Sequence, residues 1–202
     1  MSPKTAPHID IVRLEDKETK LKSFIKTFID ETAASATAGA DRGVLLLVVR
    51  SLDSPVAKAV SALVQDGVLD MPIRAVFAMI ERHDISGGQP KSEPFCAVNA
   101  ASMARDPRLL DVHEQLVLGP STSWIGDCMR RDPRKRDAYE CYAANCSETA
   151  RWARISFERL WEKSQAVVLP GVTEIANMAA TDACAGLPGE APAAGHETST
   201  AG

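Results

Sequence analysis

The chain predicts an α/β domain with a mixed, largely parallel sheet flanked by helices, and three observations carry that prediction. Residues 44–49 (VLLLVV) form an apolar run of strand length with β-branched ends, as expected of a strand covered on both faces. Residues 73–80 form a second apolar run. Between them, Asp53 or Ser54 caps a helix with Pro55 in its first turn, running to about Val64, with Gly67 just beyond its end. A strand, a helix and a strand in that order make a right-handed crossover, so 44–49 reads as a central parallel strand.

Ahead of this unit, Leu21, Phe24, Ile25, Phe28 and Ile29 recur at the spacing of one helical face, while Lys20, Lys22, Lys26 and Asp30 fall off it. This predicts an N-terminal amphipathic helix, followed by a small-residue linker over 33–43. Beyond the second run, 83–94 reads as a surface loop and 95–98 as a short strand. Residues 115–118 and 123–125 read as a hairpin around the turn Gly119-Pro120-Ser121-Thr122. Asp132-Pro133 then signals a helix start, so a helix is expected from there to about Lys163, with a break at 145–147. Ala153, Phe157, Leu160 and Trp161 supply its apolar face.

With 202 residues, 45% hydrophobic and 25% charged, the chain has a globular balance and length for one domain with a real core. The expected organisation is a flexible tail over 1–13, a single domain over 14–172 and a disordered Ala/Gly/Pro-rich tail over 173–202. A net charge of −4 gives no global attraction to nucleic acid or anionic membranes. No window of 18 apolar residues and no signal-peptide stretch occurs, which predicts a cytoplasmic protein without a membrane span. The five cysteines lack CxxC spacing, so neither a zinc site nor a disulfide framework is expected, and the thiols read as reduced and packed. The tryptophans, Trp124, Trp152 and Trp161, read as core.

The chemically suggestive stretch is 113–131. It holds His113-Glu114-Gln115-Leu116-Val117-Leu118-Gly119-Pro120, then Trp124-Ile125-Gly126-Asp127-Cys128-Met129, with Phe157-Glu158-Arg159-Leu160-Trp161 closing the domain. In these residues, and in the order of elements over 43–164, the chain resembles a half-domain of the phospholipase D superfamily. That family's pattern is a His-x-Lys opening a strand, an aspartate a few residues later, then an aromatic, Ile and Gly-Ser-x-Asn. The resemblance puts His113 at the nucleophile position, where an imidazole attacks phosphorus while lysine neutralises the non-bridging oxygens. Gln115 replaces the lysine, Pro120 the aspartate, and Asp127 stands where the family presents a hydroxyl to phosphate. An amide donates a hydrogen bond but carries no charge.

The basic run Arg130, Arg131, Arg134, Lys135 and Arg136 lies beside the motif at an expected helix start, where free amide groups cradle anions. Gln115, Arg130, Arg131, Arg134 and Arg136 are therefore the candidate anion-binding residues, and His113 the candidate catalytic one. No metal and no cofactor is implied. Two readings follow: a catalytically degenerate protein with a binding, scaffolding or regulatory role toward an unknown protein or anionic ligand, or a weak phosphodiesterase or nuclease. The second needs a homodimer that brings two copies of His113 together, with Arg130 or Arg131 replacing the lysine.

Overall fold

A strand stands where the sequence suggested a flexible tail. β1 (His8–Arg13) pairs antiparallel with β7 (Asp137–Ala143), from His8 opposite Tyr142 to Arg13 opposite Asp137. The computed structural model describes residues 6–35, 43–78, 98–104, 113–127 and 137–167, all within the unit Met1–Val172. The expected loop at 83–94, the run 130–136 and the tail 173–202 lie outside the described residues. A short edge strand gains little from its own sequence, and β1 leaves Ile9 and Ile11 exposed while burying only Val12. Its stability comes from a partner far along the chain, which no local pattern reveals.

The stripe from Leu21 to Ile29 lies on α1 (Leu14–Ser35), longer at both ends than the stripe itself. Leu21 and Ile25 are fully buried, with Phe24, Phe28 and Ile29 packed beside them; each buried aliphatic side chain is worth about 1.5–3 kcal/mol. β2 (Leu45–Val49), α2 (Pro55–Gln65) and β3 (Ile73–Phe77) form the crossover unit. Every residue of β2 is buried. Of the two candidate caps, Ser54 serves: its hydroxyl accepts the Ala57 N–H at 3.3 Å, with Pro55 at the first helical position.

The short strand expected at 95–98 is instead β4 (Val98–Met103), parallel to β3. Its register slips between Ile73 and Arg74, and Asn99 Oδ1 takes the Ile73 N–H at 2.8 Å. The hairpin forms as β5 (Gln115–Leu118) and β6 (Thr122–Ile125). The expected long helix from Asp132 divides: β7 occupies its first part, and α3 (Ser147–Lys163) begins at the suggested break. Pairing on both sides explains this: β7 bonds to β1 along one edge and to β6 along the other, and a ladder of that kind overrides the local helix signal. β8 (Gln165–Val167) closes on β4.

The sheet runs β1-β7-β6-β5-β2-β3-β4-β8. It is mixed, and among the described pairings only β2 with β3 and β3 with β4 are parallel, so β2 has a parallel neighbour on one side and antiparallel β5 on the other. α1 and α2 cover one face over Leu45, Leu47, Val49, Leu116, Leu118 and Trp124. α3 covers the other, packing Ala153, Phe157 and Leu160 on Leu46, Val48, Val76 and Val117. Trp124 is buried and Trp161 half-buried, but Trp152 is 59% exposed, against expectation, because it stands off the buried stripe of α3.

Candidate functional site

In a parallel βαβ unit the strands end where the next helix begins, which leaves a crevice at their carboxyl ends, above all where the direction of neighbouring strands changes. Here that change falls between β2 and β5. Arg50 follows β2, Ala78 donates its N–H to Val49 O, and Ala104 donates to Phe77 O, both at 2.8 Å. From the antiparallel side His113 and Glu114 enter β5, and Gly126 and Asp127 leave β6, held by a Gly126 N–H to Glu114 O bond of 2.8 Å. β7 begins at the same end, opposite Arg13 and the head of α1. The described parts of the two motif halves, 113–120 and 124–127, are thus brought side by side by the β5–β6 register.

His113 stands two residues before β5, partly exposed. Among the described residues it makes no hydrogen bond. Gln115 points the other way from Glu114, under α3, where it is 5% exposed and its amide donates to the Ala153 carbonyl at 3.4 Å. That bond ties α3 to β5. Arg130, Arg131, Arg134 and Arg136 lie outside the described residues.

Asp127 has φ +49°, a left-handed conformation that aspartate tolerates better than most residues. Its carboxylate accepts from Arg50 Nη2 at 3.2 Å. The Asp127 charge is therefore compensated by a residue from the end of β2.

Sequence reasoning missed the strongest electrostatic feature of this end. Lys17, in the first turns of α1, is buried, with its ammonium 3.1 Å from Glu140 Oε1 and 3.5 Å from Glu114 Oε2, and 5.1 Å from the Trp124 ring centroid. The second oxygen of Glu114 accepts the Arg50 backbone N–H at 3.2 Å. Glu140 is fully buried, and neither of its oxygens has a well-formed hydrogen bond. Burial pushes its carboxyl above the usual range and Asp127 adds to this, while Lys17 opposes both. Gly126 makes the packing possible: a Cβ there would meet the Trp124 ring at 2.6 Å and Glu140 Oε2 at 3.3 Å.

The described part of the site holds two cations, Lys17 and Arg50, against three acidic groups, Glu114, Asp127 and Glu140. Both cations are engaged within the protein. Among the described residues no group of three or more His, Cys, Asp or Glu side chains could hold a metal ion, and no helix is long and apolar enough to cross a membrane. Cys141 and Cys146 are half-buried, and the Cys146 sulfur lies 3.1 Å from Thr149 Oγ1.

No protein-family model matches the chain, and no curated protein matches it. Among solved structures the chain is similar to Nuc from Salmonella typhimurium, a phospholipase D family member, with a TM-score of 0.48 and 11% identity over 80% of this chain and 99% of that one. It is similar to NucT from Helicobacter pylori, with a TM-score of 0.46 and 8% identity over 80% of this chain and 100% of that one. It is also similar to TrmBL2, an archaeal chromatin protein, with a TM-score of 0.43 and 11% identity over 79% of this chain and 54% of that one. These are likenesses of chain path alone.

Proposed function

We propose that this chain is a catalytically degenerate phospholipase D-like protein of the cytoplasm, with a binding or scaffolding role and no phosphodiester hydrolysis. The observation that carries the proposal is Gln115. It occupies the lysine position of the motif, and its amide is buried on the Ala153 carbonyl, so β5 extends no ammonium toward the end of the sheet where His113 stands. A phosphoryl transition state needs its equatorial oxygens neutralised, and removing such a contact from a dry site costs several kcal/mol. The cations among the described residues do not make up the loss. Lys17 is enclosed between two carboxyl groups and Arg50 is paired with Asp127. In this reading the surface over 113–136, with Arg130, Arg131, Arg134 and Arg136, contacts a partner protein or an anionic ligand.

The test is release of p-nitrophenolate from bis(p-nitrophenyl) phosphate by the purified chain and by His113→Ala. The expected result is the buffer rate for both. Turnover that disappears in His113→Ala would overturn the proposal and favour a homodimeric phosphodiesterase using His113 from each subunit.

A further inference from the structure

We propose that Lys17, Glu114 and Glu140 form a proton-dependent latch that holds β1 and the head of α1 on the sheet, shut while Glu140 carries a proton and loosened when it leaves. One buried ammonium faces two buried carboxyl groups, at 3.1 Å and 3.5 Å. If both carboxyls are ionised the cluster carries an uncompensated negative charge away from water, which a protein interior disfavours strongly.

The two carboxyl groups differ in their partners. Glu114 receives two donors, the Lys17 ammonium and the Arg50 backbone N–H. Glu140 has the ammonium beside Oε1 and the Trp124 indole N–H as a neighbouring donor, with no well-formed hydrogen bond to either oxygen. Among the described residues the surrounding elements give it no further cation. On β1, Asp10 lies opposite Glu140 in register and is paired with Lys20 of α1. Beyond β6, Asp127 is paired with Arg50 and still raises the Glu140 carboxyl. On β6 and β7, the Trp124 indole and the Tyr142 hydroxyl are neutral neighbours, and burial together with Glu140 pushes the Tyr142 hydroxyl far above its usual range.

The sign follows from linkage. A carboxyl whose folded value is raised contributes stability that is fully present below the ordinary glutamate value of 4.5 and is lost as pH rises through the raised value. The element that yields is the one the lysine holds. Among the described residues β1 pairs only with β7, and it leads without a break into α1, whose first turns carry Lys17. Its release gives water access to Glu140 and bares the edge of β7. The rest of the sheet keeps both cores.

The experiment compares the full chain with Glu140→Gln, an uncharged copy of the protonated side chain, from about pH 5 to about pH 9. Thermal unfolding of the native chain should lose on the order of 3 °C or more relative to Glu140→Gln across that range. Amide-exchange protection of β1, corrected for intrinsic rates, should fall roughly tenfold more in the native chain, while β2 and α3 keep theirs. Infrared spectra of the native chain should show a protonated carboxyl carbonyl band near neutral pH, a readout that stands if Glu140→Gln does not fold. Parallel pH profiles, loss of protection spread evenly over the molecule, or absence of the carboxyl band would each overturn the latch.

Discussion

On one face of the sheet Arg74 lies over Phe157 and Trp161, with its guanidinium carbon 5.2 Å and 4.5 Å from the ring centroids, and grips both oxygens of Glu158 at 2.9 Å and 3.1 Å. On the other face Lys17 lies over Trp124 between Glu114 and Glu140. Both arrangements set a cation against an aromatic ring and a carboxylate. They differ in access to water. Arg74 and Glu158 keep about a third of their side chains exposed, whereas the Lys17 cluster has almost none. Solvent screens the first pair and fills in for a lost partner, so it fastens α3 cheaply. Nothing fills in for the second, whose members depend on one another and on the proton count.

The sharpest break of this comparison is Lys17→Met. Two carboxyl groups then lose their buried cation, and stability should fall by about 3–5 kcal/mol in denaturant melts. Replacing Lys17, Glu114 and Glu140 together by apolar residues should recover most of that loss, because a packed apolar cluster needs no charge balance. Next in size, Gln115→Lys restores the family's residue type in the wrong setting. The ammonium would enter an apolar site beneath α3, and the variant should lose about 2–4 kcal/mol without gaining diesterase turnover. A well-folded Gln115→Lys that hydrolyses bis(p-nitrophenyl) phosphate would show that the pocket, not the lysine, had been misjudged.

Gly126→Ala probes the packing that lets Trp124 and Glu140 coexist. Its Cβ would stand 2.6 Å from the Trp124 ring, and the expected cost is about 1–3 kcal/mol, read as a lower melting temperature. Smallest of all should be Glu158→Gln on the opposite face. The loss of charge from a half-exposed bidentate pair should cost about 1 kcal/mol or less, and still less in high salt.

The comparison also separates what the sequence disclosed from what it concealed. β2, β3, α2 and the β5–β6 hairpin were legible because each is written in consecutive residues: the apolar runs, Ser54-Pro55 at the cap, and the Gly119-Pro120 turn. Elements defined by a distant partner were not. β1 is polar at alternate positions and two of its apolar side chains face outward, so it read as a tail. β7 combines Ala, Glu, Tyr and Cys in an order that also suits a helix, and the Asp132-Pro133 signal ahead of it encouraged that reading. Its one distinguishing mark, Glu140 flanked by half-exposed Tyr139 and Cys141, has meaning only once Lys17 is opposite.

The candidate site divides the same way. His113 and the two motif halves were visible as a local pattern, and the sheet sets them together. The fate of Gln115 was not visible, because its partner is a backbone carbonyl on α3. Nor was the pairing of Asp127 with Arg50, which joins the end of β6 to the end of β2 across a sequence separation of 77 residues. The Lys17–Glu114 contact spans 97 residues. A lysine at a helix start gives no hint that it will be buried, since lysine there is ordinarily solvated.

The central claim is that His113 has been kept without the charge that made it a nucleophile in the phospholipase D pattern. Phosphorus NMR of the chain mixed with bis(p-nitrophenyl) phosphate and quenched at neutral to alkaline pH tests this most directly, since covalent catalysis requires a phosphorus–nitrogen bond on the imidazole. The account predicts no protein-bound phosphoramidate signal in the native chain or in His113→Ala. A phosphoramidate signal present in the native chain and missing in His113→Ala would contradict it.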